Sequence, residues 1–98
     1  EPAKGAIKIS ELLANPGKYN GKVVAVTGKC VKINPNIMNR NWVHLRDGSA
    51  DNSDLTITTT ELVQPGDVVT LEGTIALNKD FGAGYKYDVI MEGAVVKK

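Results

Sequence analysis

The segment at residues 67–78, DVVTLEGTIALN, alternates between apolar and polar side chains along its length. One face carries Val69, Leu71, Gly73, Ile75 and Leu77. The other face carries mainly threonine and glutamate. A period of two is that of a β-strand with one buried face. A glycine inside so long a strand is typical of a bend. The segment therefore predicts a long strand that bends at Gly73.

A second long segment, KVVAVTGKCVKI at residues 22–33, follows the same pattern at first. Val24, Val26 and Gly28 fall on one face, but after Cys30 the apolar residues change phase. A glycine just before a change of phase predicts a β-bulge, because one additional residue shifts every later side chain to the opposite face. Cys30 itself is predicted to be a small buried residue rather than a nucleophile.

Three shorter segments also have strand patterns: residues 41–47, 54–59 and 85–96. Their predicted inward side chains are Val43, Leu45, Leu55 and Ile57, and in the last segment Tyr87, Val89 and Met91 share one face. The connection after the first long strand is predicted to turn at residues 34–36, NPN. An edge strand is predicted at residues 7–9. A short helix is predicted over 10–15, with Ser10 as its N-cap and an end before Pro16.

Five strands, two of them long and bent, leave unpaired edges if they form a flat sheet. Closure into a small barrel removes those edges, and glycines at the bends are the usual means of closure. The length of 98 residues is that of one domain. We therefore expect an all-β protein with one domain over residues 1–98: a leader over 1–9, a helix over 10–15 and a barrel over 22–96.

The run GKVVAVTGKCVKI, followed by NWVHLRDGS, DLTIT and GDVVTLEGTIALNKDFGAGYKYDVIMEGA, resembles a known group of proteins. These are the small stand-alone bacterial barrels of the oligonucleotide/oligosaccharide-binding (OB) fold, in its nucleic-acid-binding-like group. The resemblance spans residues 20–96 and implies a five-stranded Greek-key barrel. It also implies a ligand platform on the outer face of the second and third barrel strands, between two loops. Proteins of this group are commonly exported or lipid-anchored.

The residues on that expected platform have the chemistry of a single-strand binder. Trp42, His44 and Arg46 point outward from the strand at 41–47 if Val43 and Leu45 point inward. Single-stranded nucleic acid requires rings for base stacking and cations along its backbone. Residues 22–46 contain five basic side chains and no acidic one. The predicted site consists of Trp42, His44, Arg46, Arg40, Lys29, Lys32, Lys79, Phe81 and Tyr85.

Other interpretations of these residues remain open. Trp42 can instead pack over its own loop, against Ile37 and Met38, and it is then unavailable for stacking. The platform can also serve an envelope protein, a glycan or a small ligand. The start EPAKG, without methionine, suggests that a signal was removed, and hence a periplasmic or lipoprotein location, with the cytoplasm as the alternative. The apolar pair in the loop is compatible with a monomer or a weak dimer.

Several classes of function are disfavoured by the sequence. A single cysteine excludes an internal disulfide, and no apolar run approaches the ~18 residues of a membrane span. The polar loop at 47–54 lacks the glycine and glutamate of a calcium loop. His44 is the only histidine, and it is expected to pair across strands with Thr56 or Thr58. We expect a binding module without a cofactor, a metal or catalytic residues.

Overall fold

A computed structural model describes residues 6–49, 54–82 and 84–97 of the chain. The described residues form two short helices and six strands in one sheet. In chain order these elements are β1 (Ala6–Ile7), α1 (Ile9–Ala14), α2 (Pro16–Tyr19), β2 (Val23–Ile37), β3 (Arg40–Arg46), β4 (Leu55–Thr59), β5 (Val68–Asp80) and β6 (Lys86–Lys97). The expected all-β class is confirmed for this part of the chain.

The strands pair in the order β1-β2-β3-β4-β6-β5, and β2 pairs with β5 as well. The pairings of β2, β3, β4, β6 and β5 therefore return to β2 in a closed circuit. The first half of β2 lies antiparallel to β5, from the pair Val23–Thr74 to the pair Lys29–Val68. Its second half lies antiparallel to β3. β4 and β6 run parallel.

The core lies on the face of the sheet that the alternation predicted. Its fully buried members include Val26, Cys30, Val43, Leu45, Leu55, Ile57, Leu71, Ile75 and Met91. α1 adds Ile9 and Leu12, both with no exposed surface. The short helix therefore covers core residues that the strands alone would leave in contact with water.

The predicted bulge in β2 is confirmed. The register between β2 and β3 shifts between Cys30 and Lys32. Val31, the additional residue, is 39% exposed, while Ile33 packs against the core again. The bulge bends and twists β2 just after its pairing with β5 ends at Lys29, while the pairing with β3 continues on both sides of the bulge.

Both central glycines are required by close approach of neighbouring strands. A Cβ atom on Gly73 would lie 2.7 Å from Met91 Cγ and 2.9 Å from the Glu92 carbonyl oxygen. A Cβ on Gly28 would lie 2.9 Å from the Arg46 carbonyl oxygen. Real Cβ atoms do not approach backbone atoms so closely, and thus any larger residue forces the strands apart.

The predicted turn after β2 is wrong in position. β2 continues through residues 34–36 to Ile37, and the chain turns at Met38 and Asn39. Both turn residues have positive φ, 53° and 63°, as a two-residue hairpin turn of type I′ requires. The NPN segment forms a second bulge instead, with Asn36 at φ 57° and a register shift between Asn34 and Ile37. The Asn36 N–H donates to Asn41 Oδ1 at 3.1 Å.

The predicted cap and bounds of the helix are also wrong. The helix begins at Ile9, so Ser10 lies inside it, and Lys8 at the N-cap makes no side-chain hydrogen bond. The cap comes instead from the segment after β3. Asp47 Oδ2 accepts from the Ile9 N–H at 2.9 Å, and Ser49 Oγ accepts from the Ser10 N–H at 3.0 Å. Pro16 follows α1, as expected, but it also starts α2.

Several smaller predictions have mixed outcomes. The edge strand expected at residues 7–9 covers Ala6–Ile7 instead. The chain turns at Pro65 and Gly66 before β5. β5 extends through Lys79 and Asp80. Residues 50–53, most of the predicted polar loop, lie outside the described residues. No described helix has the length and apolar character needed to cross a bilayer.

Substitution of Gly73 by alanine is expected to destabilise the fold by about 1–3 kcal/mol, because the added methyl group overlaps β6. The free energy of unfolding from urea denaturation measures this loss. Gly17→Ala is the matched control. Gly17 lies in α2 with open space where a Cβ atom would stand, so alanine there should be neutral or slightly stabilising. Equal effects of the two substitutions would contradict the packing argument.

In Asp47→Ala, α1 loses the hydrogen bond from the Ile9 N–H to the Asp47 carboxylate. We expect stability at neutral pH to fall by about 1 kcal/mol. Burial raises the pKa of Asp47, but hydrogen bonds from Ile9 and Ser49 outweigh that effect and lower the pKa below its ordinary 3.8. The contribution of Asp47 is therefore complete above pH 3.8 and is lost as the pH falls through the lower folded value.

Urea denaturation at several pH values tests this dependence. The stability difference between the wild type and Asp47→Ala should shrink as the pH falls below 3.8. Asp88→Ala removes an exposed carboxylate from β6 and should show no comparable loss at neutral pH. A difference for Asp47→Ala that stays constant from pH 7 to pH 2 would rule out the carboxylate as the cap.

Candidate functional site

The bulge in β2 brings four predicted site residues onto one face. The register pairs Lys29 with Arg46 and Lys32 with His44. Directly opposed residues of an antiparallel pair project to the same side of the sheet. Lys29 and Lys32 are three positions apart, and in a regular strand they would lie on opposite faces. The additional residue at the bulge places both on the side away from the core. We call Lys29, Lys32, His44 and Arg46 the basic face.

One carboxylate contacts the basic face. His44 Nδ1 lies 3.1 Å from Asp54 Oδ2, and Arg46 Nη2 lies 3.8 Å from Asp54 Oδ1. Lys29 and Lys32 are exposed, and neither forms an ion pair with the described residues. His44 stands opposite Thr56 on β4, which is one of its two predicted partners. The basic face therefore keeps a positive balance, carried mainly by the two lysines.

Trp42 was expected to offer an exposed ring, and this expectation is wrong. Its side chain alternates with those of Val43 and Leu45 as predicted, but it is only 1% exposed. The indole Nε1–H donates to the Ile37 carbonyl oxygen at 2.9 Å. Met38 remains 41% exposed. Ring contacts with Trp42 come from another part of the chain.

Three aromatic side chains from the β5–β6 hairpin pack against Trp42. Tyr85 and Tyr87 stack on the indole with centroid distances of 5.4 and 5.8 Å. Phe81 contacts it edge-to-face at 5.1 Å. We call Trp42, Phe81, Tyr85 and Tyr87 the aromatic cluster. Phe81, Tyr85 and Tyr87 are half-buried, so they retain some exposed surface.

The hairpin reaches Trp42 while its strands stay paired. Asn78 in β5 has a positive φ of 53°, an uncommon conformation that marks an irregular point in the strand. Beyond it, Lys79 pairs with Tyr87, and the Phe81 N–H donates to the Tyr85 carbonyl oxygen at 2.7 Å. The pKa of Tyr87 is raised by burial and by the neighbouring Tyr85. The side chains of Phe81 and Tyr87 therefore both contact Trp42.

Glu92 contacts two basic side chains of the predicted site and was not itself predicted as a site residue. Its carboxylate lies 3.8 Å from Arg40 Nη1 and 3.6 Å from Lys79 Nζ. Both cations also lie near the Phe81 ring, at 5.8 and 5.7 Å from its centroid. Arg40 and Lys79 therefore belong to the site, but a carboxylate partly offsets their charge. No local pattern in the sequence marks Glu92, because its two partners come from distant strands.

A cleft of about 410 Å³ opens beside the aromatic cluster. It lies between the β2–β3 turn, the end of β4 and the middle of β6. Its lining includes Met38, Arg40, Thr58, Thr59, Glu92 and Val95. Two of its hydroxyls are occupied: Thr58 Oγ1 accepts from the Gly93 N–H at 3.2 Å, and Thr59 Oγ1 donates to the Ala94 carbonyl oxygen at 2.7 Å.

Other reactive groups do not join the site. Cys30 has no exposed surface, as predicted, and burial raises the pKa of its thiol. Within residues 6–49, 54–82 and 84–97, no three histidine, cysteine, aspartate or glutamate side chains are grouped as metal ligands would be.

No protein-family model matches this chain, and no curated protein is similar to it. The resemblance to the small OB-fold proteins therefore stays a prediction from the sequence.

The role of Phe81 as a cover for Trp42 can be tested by fluorescence, since Trp42 is the only tryptophan. In Phe81→Ala we expect the emission maximum to move to longer wavelength and quenching by acrylamide to increase. Stability should fall by about 1 kcal/mol through the lost aromatic contact. Tyr19→Phe serves as the control, since it removes the hydrogen bond to Glu11 far along the chain from Trp42. Unchanged Trp42 emission in Phe81→Ala would contradict the covering role.

Proposed function

We propose that this chain is an OB-fold barrel that binds single-stranded nucleic acid weakly and with little dependence on sequence. The closed circuit of pairings through β2, β3, β4, β6 and β5 supports the fold part of this proposal. So does the bulge in β2, because a bulge bends its strand and increases the local twist. In this fold the outer face of the second and third barrel strands, here β3 and β4, is the usual place for an oligonucleotide.

The register of β2 against β3 is the observation that carries the proposed function. It sets Lys29 beside Arg46 and Lys32 beside His44 on one side of the sheet. Asp54 offsets part of this charge, and the two lysines remain exposed. Cations arranged along a strand pair can neutralise consecutive phosphates, and the release of counterions from those phosphates favours binding.

The aromatic cluster meets the second requirement of single-strand binding, which is a set of aromatic rings for base stacking. Bases stack on exposed aromatic faces, and such stacking tolerates any base. Trp42 is too buried to accept a base, but Tyr85 and Tyr87 stack on its indole. On this proposal the half-buried rings of Phe81, Tyr85 and Tyr87 contact the bases, while Lys29 and Lys32 contact the phosphates.

Titration of a fluorescently labelled thymidine oligonucleotide, followed by anisotropy at several salt concentrations, tests the proposal. We expect a Kd of about 10⁻⁴ to 10⁻⁶ M at physiological salt. The double substitution Lys29→Ala with Lys32→Ala should weaken binding. It should also reduce the slope of log K against log salt by about 1.4, since each phosphate contact on a single strand contributes ~0.7.

The control is the pair Lys22→Ala with Lys97→Ala, which removes the same charge from exposed positions outside the basic face. This pair should change affinity less and leave the slope nearly unaltered. Absence of binding at low salt with ~100 μM protein would refute the proposed function, given the expected range of Kd. Equal slopes for the two double variants would refute the basic face as the phosphate contact.

A further inference from the structure

The cleft beside the aromatic cluster contains polar groups that the fold does not use. The hydroxyls of Thr58 and Thr59 are engaged by β6. The side chains of Asn39 and Thr60 make no hydrogen bond to the described residues, although both line the cleft. Two apolar side chains on the lining, Met38 and Val95, are 41% and 49% exposed.

Glu92 is the acceptor of this cleft. An ionised carboxylate accepts hydrogen bonds through two oxygens and donates none. Its contacts with Arg40 and Lys79, at 3.8 and 3.6 Å, are longer than the roughly 2.7–2.9 Å of a charge-assisted hydrogen bond. Neither cation therefore saturates the Glu92 oxygens as hydrogen-bond acceptors. A ligand with two adjacent N–H donors can bind both oxygens at once.

Guanine is the one common base whose Watson–Crick edge presents two adjacent donors, N1–H and the N2 amino group. The same edge ends in the O6 acceptor, and the guanidinium of Arg40 lies beside Glu92. Adenine and cytosine present one donor next to an acceptor, so a carboxylate facing either of them leaves one oxygen opposite a lone pair. The Glu92 carboxylate and the Arg40 guanidinium are therefore together complementary to the Watson–Crick edge of guanine.

The volume and the lining residues of the cleft are compatible with the binding of a flat aromatic base. Its volume of about 410 Å³ falls within the roughly 300–1,000 Å³ of small-ligand sites. Methionine thioethers make favourable contacts with aromatic rings, and Met38 lies on the lining of the cleft. Arg40 also lies over Phe81 at 5.8 Å, so the cleft adjoins the aromatic cluster. A strand that crosses the cluster can thus place one base in the cleft.

We propose that this cleft binds a single guanine base of a single-stranded nucleic acid, with Glu92 as acceptor for N1–H and N2–H and Arg40 as donor to O6. This inference rests on the proposed function, because the remaining nucleotides are held by the basic face and the aromatic cluster. It adds a preference for one base to binding that is otherwise independent of sequence.

The experiment compares two labelled thymidine oligonucleotides, one with a single central guanine and one with a single central adenine. The wild-type chain should bind the guanine strand about tenfold more tightly, as expected of one good bidentate contact. Glu92→Gln should abolish this preference, because an amide presents one donor and one acceptor. Its affinity for the plain thymidine strand is measured in parallel, so that loss of the guanine contacts is distinguished from a general weakening of the site that Glu92 shares with Arg40 and Lys79.

Glu72→Gln is the matched control. It changes the net charge equally and breaks one ion pair, with Lys97 at 3.6 Å, but Glu72 does not line the cleft. It should keep the guanine preference of the wild type. Titration of the ¹⁵N-labelled chain with guanosine monophosphate should shift the amide signals of Thr60, Gly93 and Val95, and adenosine monophosphate should not.

The outcomes separate the two proposals. Tight binding of all strands with equal affinity for guanine and adenine would overturn the guanine cleft and leave the proposed function intact. Shifts at the cleft with guanosine monophosphate, but no strand binding at low salt, would support the cleft and overturn the single-strand function. Loss of the preference in Glu72→Gln as well as in Glu92→Gln would assign the effect to charge alone and overturn the cleft.

Discussion

The double pairing of β2 is the constraint on which the rest of the structure depends. β2 lies against β5 with its first half and against β3 with its second half, and its bulge bends and twists the strand near the point where the two pairings meet. The bulge after Cys30 and the missing side chain at Gly28 make the change of direction possible, because the Arg46 carbonyl comes within 2.9 Å of any Cβ at that position. The core residues of β3 and β4 follow from this path, since their register is set by β2.

The same bulge determines the chemistry of the outer face. Without the additional residue, Lys32 would share a side of β2 with the core and would have to bury an ammonium group, at high cost in free energy. With it, Lys29 and Lys32 both stand outside, opposite Arg46 and His44. The bulge in β2 therefore belongs to the strand that completes the circuit of pairings, and it also places positive charge on one surface. Fold and candidate site are consequently not independent, and a substitution that removes the bulge should damage both.

Local periodicity in the sequence was sufficient to predict the strands, the two central glycines and the bulge, because each depends on residues that are neighbours in the chain. No local pattern in the sequence predicted the side chains that pack against Trp42. This packing depends on Phe81, Tyr85 and Tyr87, some 40 positions away, and on an asparagine at φ 53° that looks like any other polar strand residue. The turn was misplaced for a related reason. Asn-Pro-Asn has stronger turn chemistry than Met38-Asn39, but the strand twist required positive φ at the latter pair.

The distribution of acids explains why strand binding by this surface would be weak and yet could be selective. Asp54 and Glu92 each contact two basic or titratable side chains, so much of the apparent positive charge of the predicted site is already compensated. Lys29 and Lys32 remain for phosphates, and two such contacts give a modest electrostatic contribution. A carboxylate inside the cleft repels phosphate but accepts the donors of a base edge. On the proposed function, Glu92 therefore lowers overall affinity while orienting the strand, with its backbone toward the lysines and a base toward the cleft.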